Sequence, residues 1–313
     1  MSDTGDVREG SYTGAAGTRR WRLYLPPAHD GGRALPLVVL LHGCTQDPAD
    51  LAAGTRMDAV AAEAGVMVLY PEQPAAHNEK KCWNWYDPAH QRRDAGEPSL
   101  IAGMTRQIMA EYAVDPARVY VGGISAGGGM AVILAATYPD LYAAAAAHSG
   151  VAYGAARDVM SALVAMAGNA PDPRLQARAA FEAMGARARP VPLLVAHGEA
   201  DPVVRAANTR QIVEQFLELA RLAGAEARGA AEEERGEAGG YAYTRALHRD
   251  ASGRVLVESW LVEGLGHAWS GGSPAGTFTD PKGPDISREM LRFFLEHRLP
   301  GSPAVPASGV RTP

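Results

Sequence analysis

The segment from 118 to 138 constrains the fold more than any other. An apolar run at 118–123 leads into Gly123-Ile124-Ser125-Ala126-Gly127, and a second apolar run at 130–138 ends at Pro139. The first run reads as a buried strand and the second as a helix, so the chain must turn sharply between them. A serine held in such a turn needs neighbours without side chains, both for backbone freedom and for close strand–helix approach. Gly-x-Ser-x-Gly between strand and helix is the nucleophile elbow, which exposes a serine hydroxyl above the end of a strand. The pentapeptide alone is common by chance; its setting makes it specific.

The rest of the chain repeats the alternation of strand and helix. Residues 35–41 form a continuous apolar run, the mark of a central parallel strand covered on both faces. Residues 19–25 alternate as a half-buried strand does, 49–64 have helical periodicity ended by Gly65, and 66–70 form another buried strand. An irregular stretch at 73–96 carries two of the five tryptophans, and 99–112 is helical with Ser99 as its N-cap. At 141–147 alanine propensity favours helix, but the order of elements calls for a short strand, ended by His148-Ser149-Gly150 at the elbow's edge of the sheet. A helical excursion follows at 151–189, then a strand at 191–196 and a helix at 205–222. Residues 223–240 contain only Ala, Gly, Glu and Arg and read as a low-complexity surface loop. A hairpin at 241–248 and 254–260 and a helix at 285–298 complete the chain. The expectation is an α/β protein with a mostly parallel sheet and helices on both faces. It comprises a flexible N-terminus at 1–18, a single domain at 19–299 and a disordered tail at 300–313.

Thirty basic against 35 acidic residues leave a formal charge of −5, which gives no reason to expect nucleic acid or a membrane surface as partner. No apolar run approaches the ~20 residues of a spanning helix. The first residues, Met1 to Asp6, are polar and acidic without a basic or apolar leader region, so no signal peptide is expected. The compartment stays open between secreted or periplasmic and cytoplasmic, and nothing in the pattern sets the oligomeric state. Cys44 and Cys82 lack zinc-ligand spacing, so no metal is expected, and two small buried hydrophobes are the plainest reading of them.

Ligands of open α/β sheets bind outside the carboxyl ends of the strands. A serine there needs a base, itself oriented by a carboxylate, in the chain order Ser, Asp or Glu, His. Of the histidines after Ser125, only His267 sits in a glycine-flanked turn just past a late strand; His148 and His197 lie at strand ends as structural groups, and His248 and His297 elsewhere. Asp201 follows the 191–196 strand and precedes Pro202, which holds it extended; Glu199 is its rival. Asp158 and Asp172 read as caps or surface acids, and Asp115 with Arg118 as a structural turn. An oxyanion would meet the backbone amide of Ala126, at the start of the elbow helix, and that of Cys44, in the loop 42–46. His42 reads as structural. No cofactor is required by such a set.

The segments His42-Gly-Cys-Thr-Gln46, Cys82-Trp-Asn-Trp-Tyr86, Asp115 to Met130, His197-Gly-Glu-Ala-Asp201 and Gly266-His-Ala-Trp-Ser-Gly-Gly272 together resemble the polyhydroxybutyrate (PHB) depolymerase-like esterases. These are α/β-hydrolases related to feruloyl and acetylxylan esterases, and the matching segments span most of 19–298. The resemblance implies a serine esterase with Ser125, Asp201 and His267 as its triad. Its substrate would be a small or polymeric ester, with short-chain hydroxyalkanoates first and feruloyl or acetylxylan esters as the alternative. A hydrolase fold kept only for binding is the non-enzymatic reading. The resemblance also recasts the cysteines: a Cys44–Cys82 disulfide would rigidify the oxyanion loop, against two free thiols beside the site. Trp83 and Trp85, and Trp269 beside His267, are candidates for an apolar substrate wall, against plain core packing.

Overall fold

The computed structural model describes residues 5–301. Its strands are β1 (Asp6–Gly14), β2 (Gly17–Leu25), β3 (Leu35–Leu41), β4 (Met67–Pro71), β5 (Val114–Ile124), β6 (Ala144–His148), β7 (Leu193–Gly198), β8 (Glu232–Ala238), β9 (Tyr241–Arg249) and β10 (Val255–Val262). They form one sheet in the order β1-β2-β4-β3-β5-β6-β7-β10-β9-β8. The middle six, from β4 to β10, run parallel, and an antiparallel pair borders them at each edge. Helices α1 (Pro48–Thr55), α2 (Met57–Ala64), α3 (Gly96–Glu111), α4 (Ala126–Thr137), α5 (Val159–Val164), α6 (Pro173–Met184), α7 (Ala207–Leu222) and α8 (Ile286–Leu295) cover the two faces.

The alternation of side chains along each parallel strand explains the two cores. Leu37, Val39 and Leu41 of β3 pack with α3, α4 and α7 on one face, while Val38 and Leu40 join α1, α2 and α8 on the other. Strand β7 divides the same way, Leu193 and Val195 against Leu194 and Ala196. Every residue of α4 is buried, so this helix is apolar all round. The strand expected near 141–147 is β6, where the demands of the parallel sheet override alanine's helix propensity.

The structure corrects the sequence reading in four places. The N-terminus read as flexible over 1–18 contains β1, which pairs along its length with β2. The ring of Tyr12 lies so close to Gly103 of α3 that a Cβ there would sit 2.3 Å from it, which anchors this edge strand. The loop read at 223–240 contains β8, whose Glu232 and Glu234 pair with Arg249 and Arg245 of β9. The helix read across 49–64 is broken at Arg56, which adopts φ 54° and reaches Gly271 O at 2.6 Å. Helix α3 starts at Gly96, ahead of the proposed Ser99 cap; Ser99 Oγ instead donates to Gly96 O. Residues 302–313 of the expected tail, and residues 1–4, lie outside the described part. Among the described residues no helix is long and apolar enough to cross a membrane.

Candidate active site

Ser125 stands between β5 and α4 with φ 57° and ψ −122°, a conformation that an L-residue adopts only when its surroundings enforce it. Its N–H donates to His148 O at 2.9 Å and its carbonyl accepts from Gly129 N at 3.0 Å. A Cβ on Gly123 would lie 2.5 Å from the backbone of Gly127, and one on Gly127 would lie 2.2 Å from Leu41 O. Both glycines are therefore needed for strand and helix to meet at this distance. The serine hydroxyl borders a cavity of about 160 Å³ whose lining also includes His267, Cys44, Gln46, Met166, Val203 and Phe278.

His267 follows β10 and its Nδ1–H donates to Asp201 Oδ2 at 2.7 Å, which leaves the Nε2 lone pair free for a proton. Asp201 is 1% exposed. Its Oδ1 accepts the N–H groups of Val203 and Val204 at 2.8 and 2.9 Å, and His197 Nε2 lies 3.4 Å from Oδ2. Burial acts to raise the pKa of this carboxyl, but the hydrogen bonds from His197, His267 and Val204 outweigh it and hold the group below the usual aspartate range. Glu199, the rival acid, is exposed.

Two other histidines, His42 and His148, are braces. His42 donates from Nδ1 to Gly43 O and accepts Gln73 N–H on Nε2, and burial pushes its pKa down to about 4. His148 stacks on Trp269 with ring centroids 5.2 Å apart and accepts Ser270 N–H; burial pushes it down to about 3. His248 and His297 do not line the cavity. Asp158 and Asp172 cap α5 and α6, and Asp115 is held by Ala117 N–H, Arg118 and Arg298.

Cys44 and Cys82 are joined by a disulfide, which ties the loop beside Ser125 to the irregular stretch 73–96. A Cβ on Gly43 would lie 3.4 Å from Ser125 Cβ, so this loop passes directly over the serine. The three tryptophans are not a substrate wall. Trp83, Trp85 and Trp269 are 0%, 7% and 1% exposed, and none lines the cavity. Trp83 packs on His42, and Trp269 donates from Nε1 to Ser287 Oγ. Bulky aromatic rings gain more from burial in the two cores than from standing at a cavity mouth. The apolar lining comes instead from Met166, Val203 and Phe278, which no motif or spacing marks out. Among the described residues no cluster of three or more His, Cys, Asp or Glu side chains is placed to hold a metal ion.

Residues 20–239 match the family described as esterase PHB depolymerase. The chain is 34% identical over 248 residues to poly(3-hydroxyalkanoate) depolymerase C of Paucimonas lemoignei, a match covering 79% of this chain and 56% of that one. It is 42% identical over 118 residues to feruloyl esterase B of Neurospora crassa, covering 37% and 39% of the two chains. The chain thus spans about half the length of the curated relatives it matches. Acetyl xylan esterase from Aspergillus awamori superposes with a TM-score of 0.73 at 21% identity, over 92% of this chain and 99% of that one, and shares its α/β-hydrolase fold.

Proposed function

The chain belongs to the PHB depolymerase esterase family, and from that premise we propose that it is a serine esterase that opens carboxylic esters through an acyl-enzyme. The observation that carries this reading is the Asp201–His267 hydrogen bond beside a strained Ser125 in one cavity. His267 Nε2 takes the Ser125 proton as Oγ attacks the ester carbonyl. Asp201 holds the ring in the tautomer that leaves Nε2 basic and stabilises the cation that forms. The amides of Cys44 and Ala126 stabilise the oxyanion, aided by the positive end of α4. His267 then protonates the leaving alcohol, and a water activated by the same nitrogen releases the acid. These steps need no metal or cofactor.

The cavity favours short acyl groups. At about 160 Å³ it is close to the apolar cavity of about 150 Å³ that accommodates benzene. A 3-hydroxybutyryl group is of that size, an acetyl group is smaller, and a feruloyl group would protrude. Short-chain hydroxyalkanoate esters, whether oligomeric or polymeric, are accordingly the proposed substrates. Acetylated xylan is the second reading, since the cavity also admits acetyl. Turnover of hydroxybutyrate oligomers, acetylated xylan and methyl ferulate tests this; strong activity on either of the latter with none on the first would reverse the preference. Ser125→Ala is expected to lower kcat by about 10⁶-fold while leaving the fold intact. Labelling of Ser125 by a fluorophosphonate separates an enzyme from a chain that only binds esters.

A further inference from the structure

Gln46 is 2% exposed, closes the loop 42–46 that passes over Ser125, and borders the same cavity. Its Oε1 accepts the Gly43 N–H at 2.9 Å. Its Nε2 donates to Asp50 Oδ2 and to Thr277 O, both at 3.0 Å. The orientation of the amide is fixed, because a flipped group would set its oxygen against two acceptors and its nitrogen against a donor. Asp50 in turn accepts the Thr277 N–H at 2.8 Å on Oδ1 and the Thr277 hydroxyl at 2.5 Å on Oδ2. Thr277 adjoins Phe278, whose carbonyl accepts Trp269 N–H at 2.7 Å, two residues from His267. One buried side chain therefore joins the loop before α1 to the loop that carries His267.

We infer that Gln46 is a positioning residue of the oxyanion hole, acting through the Gly43–Cys44 peptide. With the Gly43 N–H committed to Gln46, the next amide along the loop is the one left to donate. Among the described residues the Cys44 N–H has no protein acceptor. Gln46 thus sets which amide faces the cavity, and Asp50 and Thr277 set the place of Gln46. An oxyanion donor works only when it is already aimed where charge develops, so the clamp acts on the transition state more than on the bound ester. The inference rests on the serine esterase reading.

Gln46→Met keeps the length of the side chain and removes the acceptor. On p-nitrophenyl butyrate, kcat is expected to fall about 10²-fold with KM within about threefold, the pattern of a misplaced transition-state contact. Affinity for butylboronic acid, which forms a tetrahedral adduct on serine, is expected to fall in step. Gln46→Glu keeps an acceptor for Gly43 and places a carboxyl against Asp50; it is expected to recover part of kcat, and its ratio to wild type at the same pH is expected to rise as pH falls and that carboxyl takes a proton. An unchanged kcat in Gln46→Met, or a rise in KM with kcat intact, overturns the inference. Should that variant not fold, Asp50→Asn leaves Gln46 in place and weakens its anchor; a kcat equal to wild type there overturns the inference equally. If the wild-type chain turns over no ester and Ser125 takes no label, the esterase reading falls. The clamp is then read by amide hydrogen exchange: faster exchange of the Gly43 amide in Gln46→Met supports it, and equal exchange overturns it.

Discussion

On one side of the cavity the loop 42–46 is tied down by the Cys44–Cys82 bridge, by Gln46 and by His42, with the half-buried Asp201–His267 pair beside it. On the other side Met166 arrives from the excursion at 151–189, whose helix α5 holds Val159, Met160, Leu163 and Val164 at 58%, 72%, 56% and 52% exposure. The fixed side uses polar groups, each with a specified partner. The open side offers aliphatic surface, held mainly through its backbone: Arg205 N–H donates to Met166 O and Gln211 Nε2 to Gly168 O. The difference follows from what each side must meet. Groups that touch reacting atoms lose their effect when displaced by about 1 Å. A wall that meets only the carbon chain of a substrate contributes area, and area tolerates displacement.

The largest expected break lies on the fixed side. Asp201→Asn preserves shape but no longer enforces the His267 tautomer, and the loss of kcat is expected to be about 10⁴-fold. Glu199→Gln, at the exposed position that directly follows the same strand, is the matched control and is expected to leave turnover unchanged. Esterase kinetics on both variants decide the assignment; a large loss in Glu199→Gln with a small one in Asp201→Asn would reverse the roles of the two acids.

Acid distinguishes the two sides next. The residues 151–189 contain no histidine, whereas His42 and His148 brace the fixed side. Burial pushes their pKa values from 6.5 to about 4 and about 3. Between those values and 6.5 the unfolded chain binds the protons that the folded chain refuses, so stability is full above pH 6.5 and falls as pH drops toward 3. The shift of His42 alone corresponds to about 3 kcal/mol at the low end of that window. The buried His297, also lowered to about 4, adds to the same limb. Urea midpoints at pH 7.5, 5 and 4 measure the slope, and a flat series would show that these rings are not held neutral.

What could be read from the sequence was whatever depends on neighbours along the chain. The apolar runs of β3 and β7 announce themselves because each alternate residue enters one of two cores. The elbow is legible because its glycines answer a local steric demand. Strand β8 was not, because Glu232–Ala238 has no strand-like pattern until Arg245 and Arg249 lie opposite. Strand β1 depends likewise on the contact between Tyr12 and Gly103. The tryptophans misled for a related reason: size and type suggest a binding wall, but whether a ring faces a cavity or a core is settled by distant elements. Gln46 sits in its motif with no role legible there, since its partners Asp50 and Thr277 are brought together only by the fold.

The smallest expected effect is the strictest check on the contrast, because it claims that exposed aliphatic groups beside an active site matter little to folding or chemistry. Met160→Ser and Leu163→Ser together remove the two bulkiest side chains from the outer face of α5. Neither is buried against a partner, so no cavity forms, and the change in unfolding free energy is expected to stay within about 0.5 kcal/mol. Turnover of p-nitrophenyl acetate, a soluble ester with the smallest acyl group, is expected to stay within about twofold, since Met166 and the fixed side are untouched. A loss above about 1 kcal/mol would mean that these side chains pack against something in solution. In that case the open side is as closely fitted as the fixed one, and the contrast between them fails.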